Sequence, residues 1–252
     1  MWVWLTGVWN TATAIAVVAL VQPWVYWFYR KYGRGGHLDV HHTGNIEIGF
    51  STLGATIGLQ GTLRSLDREF FVSSMTLDIV RESDNSQHTL EWAAFRPPLV
   101  LVGEPKDPVE MPAGFLLQPT APRRYHIMFN DSAAQAAAKQ VTDPLQAAWF
   151  AALSSKGIPS DKHQEYYDTE FRLTPLHVTT FSDLDPIMYW QAGSYRLRLR
   201  IHTTRPDRDF QENWKFSLTP TDVSGLRGNR IPTILTALNL TGRWHFAYSR
   251  YQ

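Results

Sequence analysis

The chain opens with a long apolar stretch that carries no ionisable side chain. Residues 1–29 contain no Asp, Glu, Lys, Arg or His, and Ala, Val, Ile, Leu and aromatic residues dominate from Thr11 to Phe28. A helix through residues 2–29 would be about 40 Å long, which exceeds the roughly 30 Å hydrocarbon core of a bilayer. The pattern therefore predicts one transmembrane helix within residues 1–31.

The residues that flank this stretch are typical of a membrane anchor. Tryptophan concentrates at both bilayer interfaces, and Lys and Arg concentrate on the cytoplasmic side. We therefore expect an outside N-terminus and a cytoplasmic domain. A cleaved signal peptide is the alternative, but no basic residue precedes the apolar stretch. The residues assigned to the anchor are Trp2, Trp4, Trp9, Trp24, Trp27, Arg30 and Lys31.

Beyond a glycine-rich hinge at residues 32–36, apolar and polar residues alternate with the period of half-buried strands. The turn-forming sequence SDNSQ separates two such stretches and predicts a β-hairpin. The predicted strands cover residues 46–48, 72–82, 88–95, 99–102, 115–117, 125–129, 167–173, 177–181, 189–203, 209–218 and 244–251.

One alanine-rich segment, at about residues 131–156, has the composition of a helix. Asn130 or Asp131 can cap its beginning, and Asp143-Pro144 is expected to split it into two helices. A short final helix is predicted near residues 231–238.

These elements predict a mainly β fold. We expect an N-terminal transmembrane helix followed by an immunoglobulin-like β-sandwich domain over residues 37–252, with the helical segment as an insertion. Two small β modules in tandem are the alternative. Each would hold only about ninety residues and a thin core.

The composition and the absence of known catalytic motifs exclude several classes of function. The 24 basic and 23 acidic side chains give a net charge of +1, so the strong positive field of a nucleic-acid-binding protein is missing. Zero cysteines exclude disulfides, thiolate zinc sites and a cysteine nucleophile. The chain has no G-x-S-x-G, H-E-x-x-H or phosphate-binding loop motif. We therefore expect neither an enzyme nor a bound cofactor.

A histidine-rich sequence, HLDVHH, follows the hinge. On a strand, His37, Asp39 and His41 would project from one face, and imidazole and carboxylate groups are ligands of transition metals. The alternative is a solvated stalk at the membrane exit. Asp183 and Asp185 in SDLDP lack the spacing of a calcium loop and predict a turn.

The sequence YRLRLRIH places Arg196, Arg198 and Arg200 on one face of a strand, where they could bind an acidic partner or acidic lipid headgroups. A solvated face, neutralised by carboxylates on an adjacent strand such as Asp209 or Glu212, is the alternative. A second candidate contact surface lies near the C-terminus and consists of Trp244, Phe246 and Tyr248.

These features favour a structural or accessory subunit of a larger membrane complex, such as a photosynthetic or respiratory assembly. Its expected partners are other subunits and the lipid bilayer. A membrane-tethered module that binds a small ligand or a peptide, or senses one, is the alternative.

Overall fold

The computed structural model describes residues 11–28, 36–95, 111–205 and 207–252. The strands are β1 (Leu38–His42), β2 (Ile46–Ser51), β3 (Gly54–Ser65), β4 (Phe70–Arg81), β5 (Gln87–Phe95), β6 (Phe115–Leu117), β7 (Arg123–Asn130), β8 (Gly193–Arg205), β9 (Asp207–Leu218) and β10 (Ala247–Ser249). The helices are α1 (Thr11–Phe28), α2 (Ser132–Lys156), α3 (His163–Thr169), α4 (Pro175–Asp183), α5 (Pro220–Gly228) and α6 (Arg230–Ala237).

The strands form one curled antiparallel sheet, so the prediction of a mainly β fold is confirmed. Its order is β10-β2-β3-β7-β5-β4-β8-β9, with β1 also paired to β3 and β6 to β4. The C-terminal segment joins the two ends of this order. β10 pairs with β2, and the backbones of Gln252 and Lys215 on β9 exchange two hydrogen bonds of 2.9 and 3.1 Å.

The alternation of side chains decides which face of the sheet lies inside the curl. Ile57, Leu77, Leu197 and Phe216 all point inward and are buried. The residues directly before and after each of them in its strand face outward. The predicted hairpin is confirmed, because β4 pairs with β5 across the turn that the sequence SDNSQ forms. The inward side chains form the larger hydrophobic core.

Helix α2 covers one end of the sheet and begins where the sequence predicts. The Asp131 side chain accepts a hydrogen bond from the backbone N–H of Ala134, and Gly157 ends the helix in the left-handed conformation with a φ of 60°. The predicted split is wrong, because α2 continues through Pro144. Burial of Leu145 and Trp149 on the face that carries the buried Thr142 compensates for the hydrogen bond that proline removes.

The strands predicted at residues 167–173 and 177–181 are also wrong, because this region is helical. It forms α3, a 3₁₀ turn at Phe171–Leu173, and α4, whose first turn is capped by the hydroxyl of Thr174. Tyr166 and Phe171 pack on Trp149 with ring centroids 5.5 and 4.8 Å from it. The helical layer thus extends beyond the insertion that the sequence predicts and has a second core of its own.

In the second half of the N-terminal helix α1, large apolar side chains are exposed, including Leu20 and Trp24 at 73% and 65%. Within the described ranges, no helix is both long and apolar enough to cross a membrane, so the predicted transmembrane helix has no structural support. Trp27 is also exposed. Trp2, Trp4, Trp9, Arg30 and Lys31, residues 32–35 of the hinge and the strand predicted at 99–102 lie outside the described residues.

Candidate functional site

A groove with a volume of about 530 Å³ lies across β4, β5, β8 and β9. We call it the basic groove, because two arginines and a lysine line it together with polar side chains. Its lining residues are Asp78, Val80, Gln87, Arg196, Leu197, Arg198, Asn213, Trp214, Lys215 and Gln252.

The alternating sequence of β8 explains why the cations gather on one surface. Tyr195, Leu197 and Leu199 are buried, so Arg196 and Arg198 between them must face outward. The register places outward-facing residues of both neighbouring strands, β4 and β9, beside these arginines. Arg196 lies opposite Lys215 of β9 and Val80 of β4, and Arg198 lies opposite Asn213 and Asp78.

Two carboxylates from β4 and its turn neutralise part of this charge. Glu82 Oε1 lies 2.9 Å from Lys215 Nζ and 3.7 Å from Arg196 Nε, and the hydrogen bond from Lys215 lowers the pKa of Glu82. The Arg200 guanidinium bonds to the buried carboxylate of Asp78. Asp78 also accepts a hydrogen bond of 2.9 Å from the Thr89 hydroxyl.

The carboxylates expected from the sequence do not perform this role. Asp209 Oδ1 lies 2.7 Å from His202 Nδ1, at the far end of β8. Glu212 lies opposite the buried Leu199 and therefore shares its inward-facing side of the sheet. Neither residue lines the basic groove.

Arg198 differs from the other cations of this surface, because it forms no ion pair with a described residue. Its side chain is exposed, and no carboxylate of the described residues forms an ion pair with it. Around the groove, four cationic side chains, Arg196, Arg198, Arg200 and Lys215, therefore share two carboxylates. Guanidinium groups in this state bind carboxylate or phosphate oxygens through paired hydrogen bonds.

Two of the three candidate metal ligands of the histidine-rich sequence lie close together. Asp39 Oδ2 and His41 Nε2 lie 2.8 Å apart on β1, and His37 precedes the strand. In the part of the chain that the structure describes, no three His, Cys, Asp or Glu side chains could together hold a metal ion. Asp183 ends α4, and Asp185 pairs with Arg230 at 3.0 Å.

The candidate surface near the C-terminus lies around β10. Trp244 and Phe246 are half-buried, and Phe246 packs beside Gly49, where a Cβ atom would come within 3.0 Å of the phenyl ring. Tyr248 pairs with Glu47 of β2 and is 61% exposed. These three residues do not line the basic groove.

A polar cluster that the sequence does not reveal lies where α2 meets the sheet. The His88 ring stacks on Tyr189 with centroids 3.5 Å apart, and His88 Nδ1 lies 3.6 Å from Asp131 Oδ2. Burial alone would raise the pKa of Asp131, but hydrogen bonds from His88 and from the backbone N–H of Ala134 outweigh it, so the pKa is lowered. This cluster joins the helix cap to the sheet.

Replacing Asp131 by Ala should lower the free energy of unfolding by about 1–2 kcal/mol, because α2 loses its cap. The lowered pKa of Asp131 means that its ionised form stabilises the fold above the ordinary carboxyl pKa. This contribution disappears as pH falls through the folded-state pKa, which lies below the ordinary carboxyl value. Asp131→Asn keeps an acceptor oxygen but cannot titrate, so its stability should depend less on acid. Urea denaturation between neutral and acidic pH measures both effects.

Asp143→Ala is the matched control on the same helix. Asp143 accepts hydrogen bonds of 2.7 and 2.6 Å from Lys139 on the exposed face of α2, and such a surface pair is worth less than about 1 kcal/mol. Equal losses in the two variants would contradict the special role of Asp131.

The sequence matches no protein-family model, and no curated protein is significantly similar to it.

Proposed function

We propose that this protein is an accessory subunit of a membrane complex, whose curled β domain binds an acidic segment of another subunit in the basic groove. The observation that supports the proposal is the excess of positive charge at the basic groove. Arg196, Arg198, Lys215 and Asp78 line it, and Glu82 and Arg200 form ion pairs with these lining residues. A partner that supplies further carboxylates would complete the pairing of charges. No catalytic reaction is part of the proposal.

The shape of the groove suits this kind of partner. Its volume of about 530 Å³ falls within the range of ligand-binding clefts. Val80 provides an apolar contact, while Gln87 and Asn213 add amide groups that can donate and accept hydrogen bonds. Arg196 and Lys215 already hold Glu82 between them, so they are positioned to bind a second carboxylate.

The location at a membrane is the second part of the proposal. Its support is the exposed apolar surface of α1, on which Leu20, Trp24 and Val25 are each more than half exposed. A surface of this kind is normally covered by lipid or by another protein. The cytoplasmic orientation rests on Arg30 and Lys31.

A labelled poly-glutamate peptide tests the binding function. The full-length protein in mild detergent should bind the peptide, and high salt should weaken the binding. Arg198→Glu should reduce the affinity at least about 10-fold, because it replaces an uncompensated cation of the groove by an anion. Fluorescence anisotropy measures the dissociation constants.

Arg243→Glu is the matched control, since Arg243 is an exposed arginine that does not line the groove. It changes the net charge by the same amount and should leave the affinity within about two-fold. Equal weakening by both variants would show that only the overall charge matters. Absence of peptide binding by the unaltered protein would contradict the proposal.

The volume of the groove also favours a second candidate function, a membrane-tethered module that binds or senses a small anionic ligand. Pyrophosphate separates the two possibilities. A ligand that binds only the folded protein raises its melting temperature. Thermal stabilisation by pyrophosphate without binding of poly-glutamate would favour the sensing module.

A further inference from the structure

One strand of the sheet has an edge that is only partly paired. β9 pairs with β8 from Asp207 to Leu218, whereas on its other side the backbone of Lys215 bonds to that of Gln252. In an antiparallel pair, successive residues direct their backbone groups alternately to the two sides of the strand. Since Lys215 faces Gln252, residues 209, 211 and 213 face the same side.

We call residues 209–213 of β9 the open edge. The register between β8 and β9 is regular throughout, so the alternation continues from Lys215 along this segment. The side chains of Asp209, Gln211 and Asn213 are exposed. Among the described residues, none forms a backbone hydrogen bond to the outward-facing N–H and C=O groups of these three.

Strand β1, at the neighbouring end of the sheet, also has an edge without a paired strand. β1 pairs with β3 alone. His37 and Thr43, which flank β1, form backbone hydrogen bonds with Leu66, directly after β3, and with Gln60 of β3. The backbone groups of the alternate residues 38, 40 and 42 therefore face away from β3. The C-terminal segment already lies between β2 and β9: its strand β10 pairs with β2, and its residue Gln252 bonds to Lys215 of β9. An added strand placed in line with this segment would run along the open edge.

We infer that the open edge of β9 receives an extended acidic segment of a partner protein as an added β-strand. This inference rests on the proposed function and specifies how the acidic segment binds. Backbone hydrogen bonds to residues 209, 211 and 213 supply part of the affinity, as in other cases of strand addition. They also pair the exposed backbone N–H and C=O groups of this edge, which would otherwise favour aggregation.

The two faces of β9 define the sequence of the segment. On the outer face, Asn213 and Lys215 line the basic groove next to Arg198, so outward side chains of the segment are acidic. On the inner face, Phe210 and Trp214 border the core, and Trp214 packs on Tyr251 with centroids 5.6 Å apart. Inward side chains of the segment that lie beside Phe210 and Trp214 are therefore apolar, and Glu212 lies between these two on the same face. The partner segment alternates acidic and apolar residues.

Gln211→Pro tests the inference, because it removes an outward N–H group without removing a donor to β8. The probe is a labelled peptide of alternating Glu and Val residues, added to the full-length protein. Gln211→Pro should weaken binding at least about 10-fold, while Gln211→Ala, which keeps the N–H group, should remain within about two-fold of the unaltered protein. The exchange rates of the Phe210 and Glu212 amides verify that β9 stays paired to β8 in the proline variant.

Hydrogen exchange in the unaltered protein gives a second test that needs no substitution. Bound peptide should slow exchange at the amides of Asp209, Gln211 and Asn213 by at least about 10-fold. If the peptide binds in a manner that depends on Arg198 but these amides exchange at unchanged rates, strand addition is overturned and the proposed function stands. If neither this peptide nor poly-glutamate binds, the proposed function fails and this inference fails with it.

Discussion

Replacing Trp190 by Ala lowers the expected free energy of unfolding by about 3–5 kcal/mol, the range typical of a large aromatic side chain removed from a core. Trp190 is fully buried and packs against Tyr195 and Phe216 of the sheet with ring centroids 5.8 and 6.4 Å away. It lies between α4 and β8, so its loss opens a cavity where the helical layer meets the sheet. Urea denaturation followed by circular dichroism measures the change.

Trp190→Phe separates the hydrogen bond of the indole from its volume. Trp190 Nε1 donates to the backbone carbonyl of Gly49 at 2.9 Å, and phenylalanine would remove this hydrogen bond at a cost of about 0.5–1.5 kcal/mol in addition to the lost packing. Trp149→Phe is the matched control, because Trp149 is equally buried but its Nε1 has no hydrogen-bond partner among the described residues. Equal losses in the two Phe variants would contradict a role for the Gly49 hydrogen bond.

The sequence predicts the strands best where a regular alternation is bounded by turn-forming residues. The hairpin of β4 and β5 and the pair of β8 and β9 both satisfy this condition. The alternation fails at residues 167–181, where buried aromatic residues separated by polar ones also fit one face of a short helix. Contact with Trp149 of α2 selects the helical structure there. That contact depends on a distant part of the chain and cannot be obtained from the local pattern.

The curl of the sheet is a second property that the local pattern does not determine. β3 pairs with β7, and β4 with β8, although many residues separate these strands in the sequence. The C-terminal segment then joins β2 to β9. Alternation shows which residues of a strand share a face, but not which strand lies beside it.

The same limit applies to the candidate site. The outward orientation of Arg196 and Arg198 follows from the sequence of β8, and the structure bears this out through the burial of Leu197 and Leu199. The pairing of Arg196 with Glu82 depends on the register between β4 and β8. The sequence instead suggests the nearby Asp209 and Glu212, which lie elsewhere on the sheet.

Asp78 links the stability of the sheet to the charge of the basic groove. Replacing it by Ala should lower the free energy of unfolding by about 2–3 kcal/mol. Arg200 loses its carboxylate partner and the Thr89 hydroxyl loses its acceptor. The value lies below that of a fully buried pair because the Arg200 side chain is 37% exposed and water can solvate part of it. Urea denaturation provides the measurement.

The double variant Asp78→Leu with Arg200→Leu is the control for this prediction. Removing both charges leaves no unpaired ion, so its stability should be closer to that of the unaltered protein than the stability of Asp78→Ala. A double variant as unstable as Asp78→Ala would mean that packing around Asp78, and not the ion pair, determines the loss.

The effect of Asp78→Ala on binding should have the opposite sign to its effect on stability. The substitution removes one of the two carboxylates around the groove and frees Arg200 to bind an anion. Affinity for poly-glutamate should therefore rise, while the free energy of unfolding falls. A general disruption of the sheet would lower both quantities, so the opposite signs distinguish a charged binding surface from a purely structural ion pair.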